Sequence, residues 1–157
     1  ISIGLLTQVL KELSKEKVPI RDLTTILETI DASVREDITT PSELAEACRV
    51  ELGRSIVADY LQEDSKLHVL RLEPEVLEES PRGGSSVSSS LPESVFEKIE
   101  DALSEYDSQD LDPVLLTRNP DRADIAQLLR REGINRPVLA EREIPGDIEV
   151  IELDRVS

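Results

Sequence analysis

The sequence has 157 residues and is strongly acidic, with 34 Asp and Glu against 18 Lys and Arg and a formal net charge of −16 at pH 7. A chain of this charge repels the phosphates of nucleic acids and the headgroups of anionic lipids, and no basic run compensates. The charge therefore excludes a nucleic-acid-binding protein, whereas basic protein partners are steered toward such a surface.

Aromatic residues make up only 2% of the sequence, so the core must be built from Leu, Ile, Val and Ala. No stretch approaches the roughly 20 apolar residues that cross a bilayer. No basic segment precedes a short apolar run, as it does in a secretory signal. The sequence contains no methionine, even at position 1, so we expect it to be a piece of a longer protein.

The first segment predicts two short helices. Residues 3–17 carry apolar side chains at helical spacing, with Lys and Glu on the other face. Pro19 ends this helix, and a second helix starts at Arg21 or Asp22, where Asp22 places a negative charge at the positive end of the helix dipole. The apolar face predicted for the second helix consists of Leu23, Ile26, Leu27 and Ile30. Residues 31–39 lack the helical spacing of apolar side chains and are predicted to form a loop.

A well-formed helix start follows this loop. Thr40 can cap the helix, Pro41 suits its first position, and Glu43 can reach back to complete a capping box. The apolar side of this third helix continues to about Tyr60. Three short helices joined by short turns predict an all-α subdomain over residues 1–64.

The pattern changes after residue 64. Residues 66–72 are short and apolar, which predicts a strand, and a short helix or turn follows up to Glu79. Residues 80–90 are rich in Gly and Ser and predict a flexible loop. The remaining predicted elements are two helices, at residues 90–106 and 119–132, and three strands, at residues 113–117, 137–140 and 148–153. Ser90 and Glu93 form a capping box at the start of the first of these helices.

Strands that alternate with helices predict a small α/β sandwich over residues 65–157. Continuous apolar strands such as residues 114–116 favour some parallel pairing. The predicted fold class of the whole chain is therefore α+β, with an all-α helical subdomain followed by the α/β subdomain.

The sequence offers little chemistry. Its one histidine, His68, lies in a predicted strand, and its one cysteine, Cys48, lies on the apolar face of the third helix, so we expect structural roles for both. Gly83 and Gly84 are not followed by the Lys that a phosphate-binding loop needs, and neither a dinucleotide fingerprint nor a metal-ligand spacing occurs. We predict no catalytic residue, no cofactor, no metal and a protein that is not an enzyme.

Three short helices can also imitate a helix-turn-helix unit, in which the third helix reads DNA. Between residues 42 and 59 this helix carries Glu43, Glu46, Glu51 and Asp59 against Arg49 and Arg54. An acidic helix is a poor binder of the DNA groove, so a transcription factor is not favoured.

Residues 18–28, with the sequence VPIRDLTTILE, follow the amphipathic segment VLKELSKEK. Together they resemble a motif of the export-gate family of type III secretion, which includes flagellar FlhA and the injectisome proteins LcrD and InvA. The order of later segments is similar as well, from the helix at residues 40–54 to residues 143–145. The motif singles out Val18, Ile20, Arg21, Asp22, Leu23, Ile26, Leu27 and Glu28. The resemblance implies a structural role or a subunit contact for these residues.

The resemblance implies the C-terminal cytoplasmic portion of an export gate, with residues 1–64 as its third cytoplasmic subdomain and residues 65–157 as its fourth. Such a portion lies on the cytoplasmic side of the bacterial inner membrane and self-associates into a nonameric ring in the full-length protein. It docks export substrates, their chaperones and other export-apparatus proteins. The wording of the motif favours the flagellar branch over the injectisome. Two alternatives remain open at this point, an unrelated acidic adaptor that docks basic partners and a small enzyme with an unrecognised site.

Overall fold

A computed structural model describes residues 2–73, 92–118 and 122–156 of the chain. The loop predicted at residues 80–90 lies outside these ranges, as do the turn predicted up to Glu79 and the helix starts predicted at Ser90 and Asn119. The chain divides into two compact units. Unit 1 comprises Ile1–Asp59 together with Glu143–Pro145, and unit 2 comprises Tyr60–Arg142 together with Gly146–Ser157.

Unit 1 is built from short helices. They are α1 (Ile3–Lys15), α2 (Leu23–Arg35), α3 (Pro41–Glu51) and α4 (Gly53–Ala58). Helices α1 and α2 each pack against α3. Their fully buried side chains are aliphatic or thiol, as a chain with so few aromatic residues requires, and include Val9, Leu13, Ile26, Ile30, Leu44 and Cys48. The cap predicted at Thr40 is present, because its Oγ1 accepts a hydrogen bond from the Glu43 amide at 3.4 Å.

The structure departs from the prediction in two helices of unit 1. Helix α2 continues to Arg35 through part of the predicted loop, because Ser33 is buried one turn beyond Ile30 and prolongs the inward stripe. The predicted third helix is broken at Leu52 into α3 and α4. Gly53 opens α4 where the backbone carbonyl of Glu143 comes so close that a Cβ atom at residue 53 would lie 2.0 Å from its oxygen.

Helices α1 and α2 end in the same backbone motif. Lys17 (φ 59°) and Asp37 (φ 65°) follow the two helices in the left-handed region. The amide of the next residue, Val18 or Ile38, donates to a carbonyl five residues back at 3.1 and 3.0 Å. This is the Schellman arrangement, in which an apolar residue follows the left-handed one and packs back on the helix.

Unit 2 contains a four-stranded sheet in the order β3-β2-β1-β4. Its elements are β1 (Leu67–Leu72), α5 (Glu93–Asp107), β2 (Val114–Thr117), α6 (Arg122–Arg131), β3 (Val138–Ala140), a 3₁₀ turn (Glu141–Glu143) and β4 (Val150–Val156). Every pairing is parallel. Strands buried on both faces favour parallel pairing, and β2 and β3 are buried at every residue. The predicted α+β class is confirmed.

The helices of unit 2 cover a core of Leu, Ile and Val. Buried side chains from α5 and α6 meet those of the strands, among them Leu70, Ile99, Leu115, Ile125, Leu129 and Val138. Helix α5 begins at Glu93 after Pro92 and has no side-chain cap. Helices α5 and α6 end with Asp110 (φ 58°) and Gly133 (φ 82°) in the left-handed region, as α1 and α2 do with Lys17 and Asp37.

We expect Gly53→Ala to lower the free energy of unfolding of the chain by about 1–3 kcal/mol, the usual cost of overpacking a well-filled site. Gly4→Ala is the matched control, since a Cβ there approaches nothing closer than Ser2 Oγ at 4.0 Å. The control should leave the urea midpoint unchanged or raised, because Ala favours a helix over Gly. Equal midpoints for both variants would contradict the close approach of the Glu143 backbone.

Candidate interaction surface

Some side chains of the family motif at residues 18–28 are buried, whereas others are exposed. Val18 is 5% exposed and Ile26 is completely buried, where the Ile26 carbonyl lies 3.9 Å from the Cys48 Sγ of α3. Both side chains are therefore part of the core of unit 1.

Asp22 is the N-cap of α2. Its Oδ1 accepts a hydrogen bond from the Thr25 amide at 3.1 Å, and its Oδ2 accepts one from the Thr25 hydroxyl at 2.6 Å. Both bonds favour the ionised carboxyl, so they lower the pKa of Asp22 from its ordinary value. The cap fixes where α2 begins.

The other apolar residues of the motif face outward. Ile20 is 37% exposed, Leu23 is 47% exposed and Leu27 is 38% exposed. We call these three residues the α2 ridge. The prediction that Leu23 and Leu27 form the inward face of α2 was wrong, because Ile26, Ile30 and Ser33 form the buried stripe and the two leucines lie on the neighbouring stripe.

The α2 ridge is unusual within the described part of the chain. Among those residues, the only other large apolar side chain that is exposed is Ile3 at the start of α1. Polar residues border the ridge, since Arg21, Thr24 and Glu28 are all exposed. Apolar side chains exposed on a helix and just before its start, with a polar border, are typical of a protein–protein contact.

Unit 2 offers a second place to search, because parallel sheets hold ligands at the carboxyl ends of their strands. A pocket of about 300 Å³ lies there, lined by Arg71, Leu72, Glu73, Arg118, Glu141 and Arg155. Its charges bind one another. Arg71 donates to Glu141 and, at 2.5 Å, to Glu152, while Arg155 donates to Glu152 at 2.6 Å and to Glu73 at 2.9 Å.

This chain of ion pairs lowers the pKa of Glu152, chiefly through its hydrogen bond from Arg155. The pocket presents neither a hydroxyl nor a thiol nucleophile. Across the described ranges, His, Cys, Asp and Glu nowhere gather into a group that could hold a metal ion. The carboxyl edge of the sheet thus holds a pocket whose acidic and basic side chains are paired with one another.

Cys48 and His68 carry the side chains best suited to nucleophilic or acid–base chemistry, and both are packed in the interior. Cys48 is fully buried, and burial raises the pKa of its thiol to about 11, so the thiol stays protonated and unreactive near neutral pH. His68 is 9% exposed in β1, with Nε2 3.0 Å from Asp64 Oδ2. Its Nδ1 is buried and has no hydrogen-bond partner in the described part of the chain.

Sequence reasoning missed a buried ion pair in unit 1. Arg49 of α3 donates from Nε to Glu143 Oε2 at 2.7 Å and from Nη2 to Glu143 Oε1 at 3.1 Å. Glu16 lies 3.9 Å from Arg49 Nη1. The side chains of Arg49 and Glu143 are only 4% and 1% exposed. The partners are 94 residues apart, so no local spacing could have indicated the pair.

Comparison with known proteins supports the family resemblance that the motif indicates. The FHIPEP family profile matches residues 1–149. The flagellar biosynthesis protein FlhA of Escherichia coli K12 is 32% identical over 149 residues, which cover 92% of this chain and 21% of that protein. The resemblance drawn from residues 18–28 is confirmed.

Two solved structures share the fold and also resemble this chain in sequence. Chlamydia pneumoniae CdsV has a TM-score of 0.75 and 27% identity, covering 100% of this chain and 47% of that one. The nonameric SctV-C of EPEC, determined by cryo-EM, has a TM-score of 0.77 and 26% identity, covering 99% of this chain and 49% of that one. The chain therefore spans about half of each solved chain and about a fifth of E. coli FlhA. Among the described residues, no helix is both long and apolar enough to cross a membrane.

Asp22→Ala should lower the melting temperature of the chain at neutral pH, because the first turn of α2 loses its acceptor. The stabilisation by the carboxylate is present above its unfolded pKa of about 3.9 and is lost as pH falls through the lowered folded pKa. The deficit of the variant should therefore shrink below about pH 4. Asp22→Asn, which keeps a capping oxygen, is the control and should melt above Asp22→Ala at pH 7.

The substitution His68→Leu tests how much the buried Nδ1, which has no hydrogen-bond partner among the described residues, lowers the stability of the protein. Removing a buried nitrogen without a partner offsets the loss of the bond to the exposed Asp64, so the free energy of unfolding should stay equal or rise by about 1 kcal/mol. Urea denaturation at pH 7 measures it. A clear loss of stability would mean that the bond to Asp64 outweighs the burial of Nδ1.

Proposed function

The chain belongs to the FHIPEP family, the export-gate family of type III secretion, and we propose that it builds and lines the cytoplasmic ring of such a gate. In this proposal, residues 1–64 are the third cytoplasmic subdomain and residues 65–157 the fourth. The longer protein is anchored at the bacterial inner membrane, and these residues lie on its cytoplasmic side. Family membership removes the alternative of an unrelated acidic adaptor.

The observation that carries the proposal is the α2 ridge. Exposed Leu and Ile cost free energy in water, and burying the remaining exposed area of a leucine against a second protein recovers on the order of 1 kcal/mol. The ridge lies within the family motif, and the EPEC relative is a nonamer. We therefore assign Ile20, Leu23 and Leu27 to a contact between neighbouring subunits, with Val18 and Ile26 supporting it from the core.

We further propose that the ring docks export substrates, their chaperones and other export-apparatus proteins. The net charge of −16 supports this part, because it attracts basic partners from a distance and discourages nucleic acids. The curated relative FlhA of E. coli supports the flagellar branch, as the wording of the motif does.

The chain acts by binding rather than by catalysis in this proposal. The protonated Cys48 thiol, the packed His68 and the mutually paired charges at the carboxyl edge of the sheet support a scaffold. A ring of scaffolds orders partners in space, and no bond-breaking group is required of its subunits.

Leu23→Ser with Leu27→Ser should weaken self-association of the cytosolic part of the gate protein by about tenfold or more, because two leucines no longer leave water on assembly. Sedimentation velocity over a concentration series measures this change. Ile3→Ser, which removes an equally apolar exposed side chain outside the ridge, is the matched control and should assemble normally. Circular dichroism should show the same helix content in all variants, since neither leucine is buried.

Docking is tested separately by pull-down of export chaperones and substrates with the unsubstituted cytosolic part. Retention of none of them would contradict the docking half of the proposal, and unchanged assembly of the ridge variant would contradict the ring half.

A further inference from the structure

The parallel sheet of unit 2 has two edges among its described strands, β3 and β4. An edge strand presents a row of backbone N–H and C=O groups, with which a strand of another chain can pair. We propose that Tyr106 and Asp154 occupy outward backbone groups of β4 and thereby prevent a second copy of the chain from adding a strand there.

The β4 edge needs such protection more than the β3 edge does. Strand β3 has three residues, all buried, whereas most of the seven residues of β4 are exposed or half-buried. Arg122, which is 1% exposed, also donates from Nη1 to the Val138 carbonyl of β3 at 2.9 Å. This carbonyl points away from β2, because the preceding one, of Pro137, accepts from the Leu115 amide of β2 at 2.9 Å. A buried arginine therefore already engages the β3 edge.

A bulge interrupts the β4 edge at Leu153. Consecutive residues of β1 pair with Glu152 and Asp154, so the register skips Leu153. The Leu153 carbonyl accepts a hydrogen bond from the Tyr106 hydroxyl of α5 at 3.0 Å. A bulge bends an edge strand and breaks the regular spacing of its backbone groups, so a second strand pairs with it less readily.

Asp154 occupies another backbone group of the same edge. The Glu73 amide donates to the Val156 carbonyl at 2.9 Å, so the backbone of Val156 faces β1 and that of Arg155 faces outward. The outward amide of Arg155 donates to Asp154 Oδ1 at 2.8 Å. The regular part of the β4 edge is therefore confined to residues 150–152.

Charged side chains add to the protection of β4. Glu152, Asp154 and Arg155 are all exposed on this strand. Arg155 donates to Glu152 at 2.6 Å and to Glu73 at 2.9 Å, and Arg71 donates to Glu152 at 2.5 Å. A second copy that paired with this edge would have to break these ion pairs or cover them, and both cost free energy.

The double substitution Tyr106→Phe with Asp154→Ala tests the proposal in the cytosolic part of the gate protein. It removes both contacts with the β4 backbone and keeps the aromatic ring at residue 106 in place. Each freed backbone group can then bond to a second copy. We expect intermolecular β-sheet, measured in the infrared amide I band, to form at a protein concentration about tenfold lower than in the unsubstituted protein.

Two controls separate the protection of the edge from charge and from stability. Asp154→Asn removes the same charge but keeps an oxygen that accepts from the Arg155 amide, so it should behave like the unsubstituted protein. Gly53→Ala is expected to lower stability without altering the sheet edge, and it too should form no additional intermolecular β-sheet.

A double variant that forms no more intermolecular β-sheet than the unsubstituted protein would overturn the proposal, even if its urea midpoint falls. An equal increase in Asp154→Asn or in Gly53→Ala would also overturn it, because loss of charge or of stability would then explain the association. Sedimentation velocity on the unsubstituted protein tests ring assembly separately, so failure of the ring would contradict the proposed function and leave this inference standing.

Discussion

Unit 1 depends on the ion pair between Arg49 and Glu143. Two charges taken out of water cost several kcal/mol each, and only close, multiple hydrogen bonds recover that cost. The pair meets this condition with two bonds of 2.7 and 3.1 Å and with Glu16 nearby. Removing either partner would take these two hydrogen bonds from a charge that stays buried, which is strongly destabilising. The three residues Glu143–Pro145 are therefore as much part of the helical unit as the helices that precede them by nearly a hundred residues.

The caps and the left-handed residues set the limits of the helices in unit 1. Asp22 caps the start of α2, and the left-handed residues Lys17 and Asp37 follow the ends of α1 and α2. Between these limits, the packing of α2 on α3 buries Ile26 and Ile30 and leaves Leu23 and Leu27 partly exposed. The exposed apolar surface thus belongs to a helix whose opposite face is held in the core.

Much of the fold follows from local patterns in the sequence. The cap at Thr40, the strands of unit 2 and the left-handed turn at Gly133 all have residue types that favour only one local structure. The end of α2 was not found in this way, since Asp37 takes the left-handed position less commonly than Gly and nothing else in the local sequence marks it. The helix breaks at Leu52 because the Glu143 backbone comes close to the chain there. The residues around Leu52 carry no sequence signal for this distant contact.

The candidate surface was predicted only in part. The motif located it, but helical spacing allowed either of two adjacent stripes of α2 to face inward, and the packing of α2 on α3 decided between them. The Arg49–Glu143 pair gave no signal at all, because an arginine and a glutamate 94 residues apart are unremarkable in a chain with 33% charged residues.

The strand order β3-β2-β1-β4 places the last strand of the chain beside the first. During synthesis on the ribosome, β1 emerges long before its neighbour β4, and Arg49 emerges long before Glu143. Neither unit can reach its final structure until residues 143–156 have left the exit tunnel, so the nascent chain exposes an unfinished sheet edge until then. A polypeptide that stopped near residue 140 would lack both β4 and Glu143, so each unit would be incomplete.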